Sequence, residues 1–212
     1  MSKVAASRSI KQERAKATRQ EILSSAIDLF ARRGILATTM ADLARAIKMT
    51  PGALYWHFPT KEDLLLAAVA ELHQRFVKSF EPVMQKAAKQ SAAEQLETFV
   101  VHMAAFLEAH REHGIFFGMV GAESAENNER IAGALREALD VYVTAVEELI
   151  RYGQKKTKEF REDVDPRTLA SAIIFGNVGI LINHNLYRAS LSYVPLVQAL
   201  NRTVLAGVKR GG

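Results

Sequence analysis

Apolar side chains recur at three- and four-residue spacing along nearly the whole chain. No stretch alternates apolar with polar residues as a half-buried strand must. A sequence patterned this way can bury its apolar surface only by packing helix on helix. The five prolines, Pro51, Pro59, Pro82, Pro166 and Pro195, stand where that pattern has helices begin or break. The expectation is an all-α fold of about nine helices. The longest strongly apolar run, AIIFGNVGILI at 172–182, falls well short of the roughly 18 apolar residues of a membrane span, so no membrane partner is expected.

The first helix is predicted from Thr18 to Arg33, with Ile22, Ala26, Leu29 and Phe30 inward and Gly34 in the left-handed position that ends it. A second runs from Thr39 to Ile47, with Thr39 as cap and Asp42 three residues on. Lys48 and Met49 form a turn. Thr50 caps a third helix that opens on Pro51 and ends near Phe58 and Pro59. Thr60 caps a fourth, with Asp63 in the reciprocal capping place. Two short helices joined by a tight turn and braced by another make a helix-turn-helix unit.

Charge divides the chain in the same way. Residues 1–66 carry 11 Lys/Arg against 6 Asp/Glu, while residues 67–212 carry 17 of each. A basic first third beside a neutral remainder points to a polyanion-binding module joined to a second body. A solubilising tail is the competing account of the cations before Thr18. The predicted division is a basic flexible arm over 1–17, a helix-turn-helix DNA-binding domain over 18–75, and a second helical domain over 76–212. There is no cysteine, which excludes disulfides, thiolate metal sites and Cys nucleophiles. The polar first 20 residues hold no leader-like apolar core, so a cytoplasmic, nucleoid-associated protein is expected.

At about 100° per residue, Leu54 and Phe58 share the inward face of the third helix. Gly52 and Trp56 point away from it, and Tyr55 and His57 flank them. A recognition helix lies in the major groove with its first turn near the base edges. Gly52 and Ala53 let the backbone come close, and the Ala53 methyl can meet a thymine methyl. Thr50 can reach a phosphate or a base edge, and Tyr55 and His57 the phosphates bordering the groove. Thr39 and Lys61, at helix starts, offer further phosphate contacts. With Lys48 in the turn, Pro51 and Trp56, these make the candidate DNA-binding set.

The segment TRQEILSSAIDLFARRGILATTMADLARAIKMTPGALYWHFPTKEDLL (18–65) resembles the DNA-binding domain of the TetR family of bacterial transcriptional regulators. The resemblance is carried by the helix ending at Arg33 and Gly34, the Thr-Thr pair, ADLARAI, and above all LYWHF followed by TKEDLL. It departs at Met49, where the family often has a valine after a glycine, and Lys48 takes that glycine's place. The resemblance implies a dimeric repressor on a roughly palindromic operator, released when a small molecule enters the C-terminal domain. It also implies dimerisation through the last two helices.

In the remaining two-thirds, a helix over 91–110 sets Phe99, Met103 and Phe106 on one face. A glycine-punctuated piece, GIFFGMVG at 114–121, could rearrange. A long helix covers 128–158. Another, over 166–188, is apolar nearly all round, as a helix buried on two sides must be, and Gly176 and Gly179 would admit a partner helix. The last runs from Ser192 to about Val208, with Leu196, Leu200 and Val204 as its stripe. Candidates to line an effector cavity are Phe99, His102, Met103, Phe106, Phe116, Phe117, Tyr142, Phe175 and Asn177, which favour an apolar or amphipathic small molecule. Aromatic and Met side chains at helical spacing are more often core filling than pocket wall. No cofactor is expected, nor a metal: His110 and His113 stand three apart beside Glu108 and Glu112 but lack a well-placed third ligand. A DNA-binding protein without an inducer is the alternative to a ligand-responsive one, and a helical metal-dependent enzyme a more distant competitor.

Overall fold

The computed structural model describes residues 3–187 and 192–209, with the backbone alone for 3–9, 11 and 185. Among these residues there are nine helices: α1 (Lys3–Arg33), α2 (Met40–Ala46), α3 (Pro51–His57), α4 (Lys61–Ala87), α5 (Ala92–Ala109), α6 (Arg111–Ser124), α7 (Glu129–Lys155), α8 (Pro166–Leu186) and α9 (Tyr193–Val208).

The helix starts follow local chemistry. The Thr39 hydroxyl accepts the Asp42 N–H, and the Asp42 carboxylate accepts the Thr39 N–H and O–H, bonds that hold that carboxyl below its ordinary range. Thr50 accepts the Ala53 N–H ahead of Pro51, and Thr60 accepts that of Asp63. Gly34 ends α1 at φ +79°. Lys48 takes the left-handed conformation at φ +56°, at a cost of about 1–2 kcal/mol that a glycine would avoid.

Two boundaries differ from expectation. The first helix begins at Lys3, not Thr18, so the segment expected as a flexible arm is helical from Lys3 onward; residues 1–2 lie outside the described ones. The stretch KVAASRSIKQERAKA has no Pro or Gly and is rich in Ala, Lys, Arg, Gln and Glu, so nothing stops the helix at Thr18. Pro82 lies inside α4 and does not end it. Both Pro82 and Lys78, whose carbonyl loses its partner, are exposed, so water can satisfy that carbonyl while Phe80 and Ala87 anchor the helix on either side. The 114–121 piece is regular helix within α6, where Gly114 lets Leu181 of α8 approach. Residue 188, the expected end of the eighth helix, lies outside the described residues.

The buried apolar residues form two clusters. One joins α4, α5, α7, α8 and α9 around Phe76, Phe99, Val146, Ile173 and Val197. The other holds Phe30, Leu43, Leu54, Phe58 and Leu64 from α1–α4, together with Phe116, Phe117 and Val120 of α6 and Ile131 and Leu135 of α7. The division at 75/76 lies within α4, the helix expected to bridge it, and α6 and α7 of the second body contribute to the core of the first. Phe30 meets Phe116 edge-on at 6.4 Å across that seam.

Candidate nucleic-acid interface and ligand cavity

Leu54 is wholly buried under α3, and the Arg19 guanidinium covers the Phe58 ring at 4.8 Å. The outer side of α3 is open. Trp56 is 75% exposed, Tyr55 is exposed, and a Cβ placed on Gly52 would meet nothing within 4 Å. Thr39, Lys48, Thr50 and Pro51 are exposed, while Ala53 and His57 are half-buried, with the His57 ring edge-on to Trp56 at 4.7 Å.

Lys61 departs from expectation. Its ammonium donates to the Ile35 carbonyl and lies near Glu123, and burial lowers its pKa. It ties α4 to the α1–α2 turn and is not free toward a phosphate. Glu123 of α6 accepts the N–H groups of Ile35 (2.8 Å) and Leu36 (3.2 Å) in the same turn. Glu62 at the start of α4 accepts from Asn128 (3.1 Å) and Arg130 (2.6 Å) around the start of α7. These polar ties and the Phe30–Phe116 contact link the α3 platform to α6 and α7.

An apolar groove of about 310 Å³ opens between α4, α5 and α7, lined by Phe76, Val77, Phe80, Met84, Phe99, Val141, Tyr142, Ala145, Glu148 and Leu149. Deeper, a chamber of about 30 Å³ is lined by Phe76, Met103, Leu107, His113, Gly114, Phe117, Leu139, Tyr142, Ile174, Val178 and Leu181. Phe76 and Tyr142 border both spaces, with ring centroids 4.3 Å apart. The Tyr142 hydroxyl pairs with His73 Nδ1 at 3.1 Å.

Of the candidates from sequence, Phe99, Met103, Phe117 and Tyr142 line these spaces. Phe106 packs against Phe76 and His113 without lining either. His102 pairs with Ser79 and borders a separate, open groove beside α4 and α5. Three expectations are corrected. Phe116 belongs to the α1–α4 core. Phe175 is 53% exposed on the outer face of α8. Asn177 is buried between α8 and α9, where it donates to the Ile173 carbonyl and accepts from Asn201. Helical spacing alone could not tell which side of α8 turns inward, because that helix is apolar all round. Sequence reasoning missed Phe76, Phe80 and Met84, whose signal was their four-residue spacing on α4 beyond the assumed boundary. It also set His113 aside as half of a metal pair. Among the described residues no group of three or more His, Asp or Glu could hold a metal.

His113 is 4% exposed, stacked on Phe117 at 5.0 Å, and its Nδ1 has no hydrogen-bond partner. Burial, helped by the Arg75 guanidinium and the neighbouring imidazoles of His110 and His73, pushes its pKa down from 6.5 to about 3. Between those values the unfolded chain binds a proton that the folded chain excludes. Stability is thus unaffected above pH 6.5 and falls as pH drops below it, by up to about 1.4 kcal/mol per pH unit. His113→Phe is expected to flatten the slope of unfolding free energy between pH 6 and 4 by about that amount, measured by denaturant titration at each pH.

A second apolar surface lies outside. On α8, Phe175, Ile182 and Leu186 are exposed, and Gly179 has nothing within 4 Å of its Cβ position. On α9, Leu196 is exposed, with Leu200 and Val204 half-buried beside it. Gly176, expected to admit a partner helix, instead admits Leu200 of the same chain. Among the described residues no helix is long and apolar enough to cross a membrane.

A helix-turn-helix platform joined to a helical body with an internal cavity defines a one-component regulator architecture. Residues 22–68 match the family model described as bacterial regulatory proteins, tetR family, and residues 92–200 match that of the tetracyclin repressor-like C-terminal domain. The chain belongs to the TetR family. It is 41% identical over 63 residues to the HTH-type transcriptional regulator TtgR of Pseudomonas putida, a match spanning 30% of each chain. It is 28% identical over 168 residues to LmrA of Bacillus subtilis, spanning 78% of this chain and 86% of that one. In fold it is similar to the Bacillus subtilis regulator FadR in complex with stearoyl-CoA (TM-score 0.77, 20% identity, 89% of this chain and 98% of that one). It is also similar to a Saccharomonospora viridis regulator in complex with choline (TM-score 0.76, 25% identity, 92% and 100%).

Proposed function

We propose that this chain is a ligand-responsive transcriptional repressor that binds a palindromic operator as a homodimer and leaves it when a small apolar molecule occupies the α4–α5–α7 cavity. The observation that carries this reading is the outer side of α3, where Gly52 leaves the backbone open and Tyr55 and Trp56 project outward. Thr39, Lys48, Thr50 and Pro51 border that surface, with Ala53 facing the bases and Tyr55 and His57 the phosphates. Arg45, exposed on α2, adds a cation that the sequence-based set left out. The outward face of α8 and α9 supports self-association about a two-fold axis, the symmetry a palindrome requires. Regulators of similar fold hold stearoyl-CoA and choline, which supports the cavity as an effector site.

In this mechanism the two recognition helices sit about 34–36 Å apart to meet both half-sites. A ligand that binds better to another spacing lowers operator affinity by its differential affinity alone. The Glu123–Ile35 tie and the Phe30–Phe116 contact give α6 a direct hold on the platform.

The test is the fluorescence of the single tryptophan, Trp56. Saturating operator, selected from genomic fragments, is expected to change its emission, and random duplex at physiological salt to change it far less. Equal responses to both would refute sequence-specific docking through α3. Within the same assay, Tyr55→Phe is expected to weaken binding evenly across sequences, and Ala53→Ser to alter sequence preference.

A further inference from the structure

Among the described residues, three buried polar side-chain atoms lack a hydrogen-bond partner: His113 Nδ1, Tyr193 Oη and Asn201 Oδ1. Tyr193 lines neither space of the ligand cavity, and Asn201 borders a small groove against α9, where its amide already donates to Val197 and Asn177. His113 differs from both. It lines the innermost end of the cavity, ringed by Phe76, Phe106 and Phe117. A buried imidazole nitrogen left unpaired is a standing cost to the fold, and a ligand that pairs with it removes that cost.

We propose that the ligand is an uncharged, ring-containing apolar molecule bearing one hydroxyl or carbonyl group, that it enters by the α4–α5–α7 groove, parts the Phe76 and Tyr142 rings, and hydrogen-bonds His113. The inference rests on the reading of this cavity as the effector site, and it names the effector's chemistry.

The groove, at about 310 Å³, is within the range of small-molecule pockets, and rings of Phe76, Phe80, Phe99 and Tyr142 line it. Aromatic walls favour a flat or ring-bearing ligand through offset and edge contacts. The inner chamber, at about 30 Å³, has room for little more than one water-sized group. The polar end of the ligand must therefore be small, which excludes a phosphate or a sugar. His113 stays neutral at physiological pH, because burial holds its pKa near 3, so it offers an anion no ion pair to offset the loss of its hydration. The one carboxylate of the groove lining, Glu148, is exposed and repels anions at the entrance. Tyr142 already bonds His73, which leaves His113 as the interior group seeking a partner. Phe76 and Tyr142 are the two residues that line both spaces, so a ligand reaching from the groove to His113 passes between these rings.

The experiment is a calorimetric titration of the full chain with three probes of one size: naphthalene, 2-naphthol and 2-naphthoate. 2-Naphthol is expected to bind roughly three- to tenfold more tightly than naphthalene, the gain of one net hydrogen bond, and 2-naphthoate at least about tenfold more weakly than 2-naphthol. In His113→Phe, whose extra volume the adjacent chamber can take, the 2-naphthol advantage disappears while naphthalene still binds. In wild-type protein with ¹⁵N-labelled histidine, 2-naphthol is expected to move the imidazole resonance that His113→Phe lacks, and naphthalene to leave it in place. The proposal is overturned if the advantage survives in His113→Phe, if 2-naphthoate binds as well as 2-naphthol, if the His113 resonance ignores saturating 2-naphthol, or if neither neutral probe binds. Operator release measured in parallel separates the two readings. His113-dependent binding without release upholds the ligand chemistry and removes the effector role. Release that is indifferent to His113 upholds the effector role and removes the ligand chemistry.

Discussion

Gly179→Arg is expected to leave the chain folded but monomeric, and to lower operator affinity by at least about 100-fold. The space around the Gly179 Cβ position is empty, so the substitution meets no clash within the chain, and it removes a helix-interior glycine. Its neighbours on the outer face, Phe175, Ile182 and Leu186, are exposed apolar side chains. In an assembly related by a two-fold axis the same patch meets itself, so each interface would have to bury two unpaired guanidinium groups. Joining two half-site binders raises affinity by about 10²–10⁴ over one, and dissociation forfeits that gain. Sedimentation and an operator titration on the same sample give the answer. A variant that remains dimeric with unchanged affinity would remove this face from the dimer interface.

Phe30→Ala is expected to cost about 3–5 kcal/mol and to destabilise both halves of the molecule together. Phe30 is wholly buried, and one of its partners is Phe116 of α6. The truncation therefore leaves a cavity on the seam, not inside one half. Denaturant unfolding followed by Trp56 fluorescence reports the α3 platform, and far-ultraviolet circular dichroism reports the helices of the body. Coincident transitions shifted together are the expected outcome. A platform that melts early while the body keeps its wild-type midpoint would show the two halves to be independent.

The platform was legible in the sequence because its signals are local. Thr39, Thr50, Pro51, Thr60 and Gly34 each act within one turn of chain, and each stands where capping chemistry predicts. The body was legible as helices but not as surfaces. An apolar all-round helix such as α8 does not say which side is core, so Phe175 was assigned inward when it faces out. The extent of α1 was missed because a helix without a stop signal has no boundary in the sequence. Lys61 was read as a phosphate contact from its place at a helix start, whereas its bond to Ile35 depends on how α4 lies against a turn 26 residues earlier. The seam formed by Phe30, Phe116 and Glu123 joins residues about 90 positions apart, and no periodicity records that.

That seam bears on how such regulators can be recombined. A chimera that grafts residues 1–68 onto a foreign effector body would present Phe30 and the Ile35–Leu36 amides to a surface shaped for other side chains. It would read its operator yet respond weakly to the inducer. Carrying residues 111–124 along with the graft, and matching the Leu181 contact at Gly114, should restore the coupling.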